Sequence, residues 1–278
     1  MDVLTISLML TAGLLHASWH SLVKSGKNQI TVLAGMGAVA GTCAAVAIPF
    51  VPFPAADVWP VLLVSISLHI VYKICLAGAY VRGDFGQAFP LARGMVPLFA
   101  TLIAFVGLGQ VPSLTQGTGI VLVSCGLWLL ALVGLQGMAR WPLLLAAASA
   151  GAAVASYSVI DAYGTRHFGN WFAFTAWLVV LDSFAFLVLS RFLRGPALWA
   201  ELSSTRLRVI ASGLLGLLSF CVFLWALSRN PVGSVTTIRE TSVLFAMAIG
   251  VLLHGEPLSL RRLTGAIAIL SALVVIAL

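Results

Sequence analysis

Residues 207–228 read LRVIASGLLGLLSFCVFLWALS, and from Val209 to Ser228 no side chain carries a charge. Arg206, Arg208 and Arg229 bracket the stretch. A bilayer core of roughly 30 Å needs about 20 apolar residues of helix to cross it, and this segment is that long. The pattern recurs along the chain. Apolar runs fall near 3–23, 29–50, 58–79, 88–108, 114–135, 141–161, 171–193, 207–228, 234–253 and 259–277, which predicts an all-α membrane protein of ten transmembrane helices. Turn-forming or charged residues separate them: Lys24-Ser25-Gly26-Lys27, Pro52-Phe53-Pro54, Arg82-Gly83-Asp84, Gln110-Val111-Pro112, Arg166-His167, Arg194-Gly195-Pro196, Asn230-Pro231 and Gly255-Glu256-Pro257. Only the connection at 194–206 is long enough to count as a loop of its own.

Composition agrees. The 278 residues are 61% hydrophobic and 8% charged, with a mean hydropathy of +1.09, and a water-soluble domain of that make-up would expose large apolar patches. Ten spans consume about 200 residues, so no soluble domain is expected. The net charge of +7 is scattered through short connections and forms no basic stripe, which argues against nucleic acid as a partner. Cys43, Cys75, Cys125 and Cys221 lie one each in four different apolar runs and read as small packing residues, not as a disulfide or metal framework. The apolar stretch from Met1 to Leu15 lacks the basic start of a secretory signal and reads as a retained first helix.

The chain also resembles itself. At an offset of 146, Asp84 meets Asn230, Arg93 meets Arg239, Phe99 meets Phe245, Gly109-Gln110 meets Gly255-Glu256, Ser113-Leu114 meets Ser259-Leu260 and Thr118-Gly119 meets Thr264-Gly265. At an offset of 138, Gly13, Ala17, Ser18 and Trp19 meet Gly151, Ala155, Ser156 and Tyr157. The expected unit is therefore five helices, 1–137 and 138–278. An odd number of spans inverts the second copy, and inverted repeats place a substrate site near the midplane, between the halves.

Three stretches carry a family resemblance: Leu15-His16-Ala17-Ser18-Trp19-His20-Ser21-Leu22-Val23-Lys24, Pro90-Leu91-Ala92-Arg93-Gly94 and Arg239-Glu240-Thr241-Ser242-Val243-Leu244-Phe245-Ala246. With the two G-[QE]-x-x-S joints before the fifth and tenth spans, the chain resembles the EamA branch of the drug/metabolite transporter superfamily over essentially its whole length. The resemblance implies a ten-helix, pseudo-two-fold secondary transporter of the inner membrane. It also implies a small-molecule substrate, often an exported amino acid, aromatic amino acids among them, or a related metabolite.

Ionisable groups at membrane depth are costly and usually face the bundle interior or a wet cavity, so they mark the candidate site. Asp182 falls in the middle of the seventh span, and His69 and Lys73 share one face of the third. A buried lysine needs a partner, and Asp182 is a candidate. Arg93 and Arg239 hold equivalent places in the fourth and ninth spans, where each could grip a carboxylate bidentately or clamp backbone carbonyls and acids such as Asp84 and Glu240. Glu240 projects roughly 100° away from Arg239 around the helix, which frees it for another role. Pro97 cannot donate to the carbonyl of Arg93 and should kink the fourth span. His16 and His20 share a face with Trp19 nearby, and Tyr157 is the counterpart of Trp19 in the sixth span. Trp19, Tyr72, Tyr157, Trp177 and Arg239 are expected along the cavity, because aromatics supply apolar walls and a cation orients an anionic end. No metal or cofactor is expected: H-E-x-x-H, Walker-A and G-x-G-x-x-G patterns are absent from the sequence. Gly37-x-x-x-Gly41 reads as intramolecular packing, so a monomer is expected, with a dimer as the alternative.

The rival reading is a membrane-embedded enzyme acting on a lipid or isoprenoid, which would need clustered carboxylates or a nucleophile where the sequence scatters its acids. Orientation follows from charge. Lys24, Lys27, Arg82, Arg140, Arg191, Arg194, Arg206, Arg208, Arg261 and Arg262 flank the connections after odd-numbered spans, and the other face carries only Arg166 and Arg229. The crowded face should be cytoplasmic. Both termini are then periplasmic, although the family resemblance implies cytoplasmic ones.

Overall fold

A computed structural model describes residues 1–131, 141–255 and 260–277. Regular structure among them is helical: α1 (Val3–Lys24), α2 (Gln29–Ala45), a 3-10 turn (Ile48–Phe50), α3 (Trp59–Arg82), α4 (Phe85–Arg93), α5 (Val96–Leu108), α6 (Leu114–Ala131) and α7 (Trp141–His167). There follow α8 (Trp171–Arg194), α9 (Ala197–Ser204), α10 (Arg206–Arg229), α11 (Val232–Arg239), α12 (Ser242–His254) and α13 (Leu260–Ala277). Eight stretches among the described residues are long and apolar enough to cross a membrane: α1, Gln29–Phe50, α3, Ala88–Leu108, α7, α8, α10 and Val232–Leu253. Leu114–Leu129 and Leu263–Ala272 are shorter apolar stretches. The expected boundary between halves at residue 137, Arg140, and Glu256-Pro257 in the last joint lie outside the described residues.

Helix ends follow local chemistry. Asp2 accepts from Thr5 N at 2.7 Å to cap α1, Asn28 accepts from Thr31 N at 3.0 Å to cap α2, and Asn170 accepts from Ala173 N at 3.0 Å to cap α8. Gly109 and Gly255 end α5 and α12 with the same left-handed φ of 64°. These two glycines are one of the pairs aligned at an offset of 146, and the same offset superposes α5 on α12.

Four sequence expectations need correction. The connection at 194–206 is not a loop: α9 forms there, seated by buried Leu198 and by Glu201, which accepts from Thr31 Oγ1 at 2.5 Å and pairs with Arg194 Nη2 at 2.5 Å. The sixth span does not stop at residue 161 but runs to His167, which puts Asp161 inside it. The fourth span is broken, not kinked: it divides at Gly94-Met95, and Pro97 falls in the first turn of α5, where no intrahelical donor is required of it. The ninth span is broken as well, with no proline or glycine at the point of division. There Thr236, Thr237 and Thr241 turn their hydroxyls back onto the carbonyls of Val232, Gly233 and Ile238, competing with the helical ladder. Glu240 N reaches both Thr236 O at 3.2 Å and Thr237 O at 3.1 Å. The three hydrogen bonds that follow, from Thr241, Val243 and Leu244, all span three residues.

Several helix contacts recur between the helices that the offsets align. α1 packs on α10 as α7 packs on α3; α12 lies on α1 as α5 lies on α7; α2 meets α8, and α6 meets α13. Glycines permit the closest of these approaches. A Cβ at Gly151 would lie 2.7 Å from Ala92 O at the break between α4 and α5, and one at Gly13 would lie 3.2 Å from Thr241 Oγ1 at the break between α11 and α12. Gly13 and Gly151 are themselves an aligned pair at the offset of 138. Gly37 and Gly41 pack α2 onto Ser183 of α8, so this motif is intramolecular as expected.

Candidate functional site

A cavity of about 100 Å³ opens among α1, α2, α3, α7, α8, α10 and α11. Helices aligned by the sequence offsets contribute matching positions to it. An offset of 142, which superposes the capping residues Asn28 and Asn170, carries Met36, Gly37 and Ala40 of α2 onto Leu178, Val179 and Asp182 of α8, and all six line the cavity. An offset of 147 superposes α3 on α10 and carries His69 and Lys73 onto Gly216 and Phe220, again all lining. Helices that these offsets superpose thus carry different chemistry: ionisable side chains line the α3/α8 flank, and small or apolar ones line α2/α10.

Three ionisable groupings result. Lys73 Nζ lies 2.5 Å from Asp182 Oδ2 and 4.7 Å from the centroid of Phe186, so the candidate pairing from sequence is made across α3 and α8. Asp182 Oδ1 is buried without a hydrogen-bond partner among the described residues. His69, also on α3, sets its Nε2 3.1 Å from Asp161 Oδ2 and stacks on Tyr157 with centroids 4.0 Å apart.

The third grouping sits at the two breaks. Arg93 is the last residue of α4 and Arg239 the last of α11, where the negative end of a helix dipole favours a cation. Arg93 Nη1 lies 3.4 Å from Glu240 Oε1 and Arg93 Nη2 contacts His16 Nε2. Glu240 precedes the start of α12, where an anion is favoured; it pairs with Arg93, the clamp considered from sequence, and not with its neighbour Arg239. Arg239 lines the cavity with its guanidinium 3.8 Å over the Phe223 ring, and its Nη2 lies 3.5 Å from His16 Nδ1. Its Nε and Nη1 are buried with no hydrogen-bond partner among the described residues. A charge so held costs several kcal/mol unless something pairs with it.

Of the twelve candidates, His16, Trp19, His69, Tyr72, Lys73, Tyr157, Asp182 and Arg239 line the cavity. His20, Arg93 and Glu240 stand one layer behind. His20 Nε2 lies 3.0 Å from His16 Nε2 and 3.2 Å from Tyr72 OH, and His20 Nδ1 lies 2.6 Å from Tyr80 OH. Trp177 does not line the cavity: its Nε1 donates to Pro52 O at 3.0 Å and its ring packs on Phe53, in the connection before α3, and on Trp59, which opens α3, because an indole N–H in an apolar bundle seeks a carbonyl partner. Sequence reasoning passed over Asp161, Ser65 and Tyr80. Asp161 is fully buried and accepts a hydrogen bond from Ser65 Oγ. The available signal was a lone carboxylate, Val159-Ile160-Asp161-Ala162, in an apolar run.

The EamA-like transporter family matches residues 141–278. No curated protein matches the chain. Among solved structures 29 chains match, and one, described only as the crystal structure of a protein, has a TM-score of 0.76 at 17% identity, covering 99% of this chain and 96% of its own. At that identity the likeness carries the fold and nothing finer.

Proposed function

Residues 141–278 place this chain in the EamA-like transporter family, within the drug/metabolite transporter superfamily, and on that premise we propose that it exports a small metabolite bearing a carboxylate, an amino acid or close relative. It is a multi-pass membrane transporter. The single observation that carries the substrate class is Arg239, a buried guanidinium lining a cavity with Nε and Nη1 unpaired. A carboxylate supplies the counter-charge that this guanidinium lacks, and Trp19, Tyr72 and Tyr157 offer aromatic walls for an apolar side chain.

Ten spans in two inverted five-helix halves, 1–137 and 138–278, give the route. The exchangeable packing, the paired glycines at 109 and 255 and the paired breaks support it. In such a bundle one half rocks against the other about the central cavity and exposes it to each side in turn. The inner membrane is the setting, with both termini periplasmic by the charge count. Export of preloaded, radiolabelled amino acids from proteoliposomes of the purified protein tests this reading. Release of the aromatic or aliphatic members above protein-free vesicles supports it, and release equal to protein-free vesicles for every member overturns it.

A further inference from the structure

A second cavity, of about 140 Å³, lies at the opposite end of α11 from Arg239. The last turns of α5, the connection that follows it and the start of α6 form one wall, and Pro231, Gly233 and Ser234 form the other. It shares no lining residue with the central cavity. Ser234 and Arg239 are five positions apart, about 7.5 Å of helix. The start of α11 packs closely on α5: a Cβ at Gly233 would lie 2.5 Å from Thr101 Oγ1.

The polar groups around this cavity are rich in donors and poor in free acceptors. Gln110 Oε1 accepts from Val232 N at 2.9 Å and Gln116 Oε1 accepts from Ser113 N at 3.0 Å, so each side-chain amide keeps its NH2 to offer. Thr236 and Thr237 turn their hydroxyls back onto carbonyls of α11. Ser234 does not: it is 3% exposed, and its Oγ is buried without a hydrogen-bond partner among the described residues although it lines the cavity. α11 begins after Pro231, which has no side chain to cap it. The N–H groups of Gly233 and Ser234, in its first turn, therefore have no acceptor within the helix and stand at the positive end of its dipole. No acidic side chain lines the cavity.

We propose that this cavity is a second binding site, for the carboxylate of a small organic acid, separate from the central cavity and independent of Arg239. The carboxylate accepts from Ser234 Oγ and from the first-turn N–H groups of α11, and the amides of Gln110 and Gln116 flank it. Ala104, Val111, Pro112 and Ile120 supply an apolar collar that suits an organic acid better than a hydrated inorganic ion. A ligand held there ties the connection between α5 and α6 to the start of α11, beside the one hydrogen bond that Gln110 already makes to Val232. The donor set is not repeated in the sequence: at the offset of 146, Gln110, Gln116 and Ser234 meet Glu256, Arg262 and Ala88.

Thermal unfolding of the purified protein in detergent tests the site, with acetate as the probe and acetamide, at the same chloride concentration, as its neutral counterpart. Acetate should raise the unfolding midpoint of wild type to a plateau, and acetamide should leave it in place. Ser234→Ala should weaken the apparent acetate affinity about 10-fold, the loss of one hydrogen bond to a charged group. Gln110→Glu should abolish the response, because it sets a like charge beside the ligand. Its midpoint without acetate should stay near that of wild type, since a carboxylate oxygen accepts from Val232 N as the amide oxygen does. Arg239→Gln should keep the response. Failure of acetate to stabilise wild type overturns the proposal, and so does an acetate response as strong in Ser234→Ala and Gln110→Glu as in wild type. Should Gln110→Glu fold poorly, Ser234→Ala decides alone. A response lost in Arg239→Gln and kept in both of the other variants would put the acetate in the central cavity and overturn the proposal as well.

Discussion

Arg93 and Glu240 meet across the middle of the bundle, Nη1 to Oε1 at 3.4 Å, each at the broken point of its own span: Arg93 closes α4, and Glu240 stands between α11 and α12. The pair ties the interrupted fourth span to the interrupted ninth at the place where neither has a continuous backbone ladder to hold it.

Both side chains are almost wholly buried, so removing one should cost more than removing both. Glu240→Ala is expected to lower stability by about 3 kcal/mol, since it strands a buried guanidinium, and Arg93→Met with Glu240→Leu by less than either single change. Thermal unfolding in detergent of the singles and the double decides it, and a double change as costly as the summed singles contradicts the coupling.

Glycine positions sort by what a side chain would meet. Gly41→Val places its Cβ 2.6 Å from that of Ser183 and should destabilise the α2/α8 seam by roughly 2 kcal/mol. Gly117→Ala, with nothing within 4 Å, should be neutral or raise stability by up to about 1 kcal/mol from helix propensity. Unfolding midpoints of the two variants, measured together, check the contrast.

Glu201 anchors α9, which is not among the candidate membrane spans. The Thr31 hydroxyl, and then Arg194, hold its carboxyl below the usual carboxylate range. A depressed folded value means the anchor contributes fully above the unfolded value near about 4.3 and is lost as pH falls through the folded one. Proteolysis within residues 196–205 should therefore rise below about pH 4 in wild type. In Glu201→Gln it should be raised already at neutral pH.

Orientation rests on ten Lys and Arg flanking the connections after odd-numbered spans against two on the other face. A C-terminal fusion should be active as a periplasmic phosphatase and dark as a cytoplasmic fluorophore. The opposite pair of results would reverse the topology.

Legibility in the sequence followed scale. The apolar runs and the offset of 146 lay open because length and repeated polar residues survive without contacts; Gly109 and Gly255 kept the same cap, and Arg93 and Arg239 the same helix end. The break at Glu240 was hidden because threonine hydroxyls, not proline, divert the backbone there. Asp161 was missed because its run was ended at that residue, one turn and a half before the helix stops. Trp177 was misjudged because an aromatic on the right helix can still turn its N–H to a loop carbonyl. Lys73 with Asp182 was readable as a need for a partner, whereas His69 with Asp161 required the packing of α3 on α7.

The carboxylate reading stands on Arg239, and phenylalanine against phenylalaninamide, acid against amide of one shape, tests it most directly. In proteoliposomes Arg239→Gln should cut phenylalanine flux by roughly 100-fold, the loss of a charge-assisted contact. The same change should leave the slower flux of phenylalaninamide within about 3-fold of wild type. Equal losses for acid and amide would make Arg239 a structural clamp and contradict a carboxylate seat in the cavity.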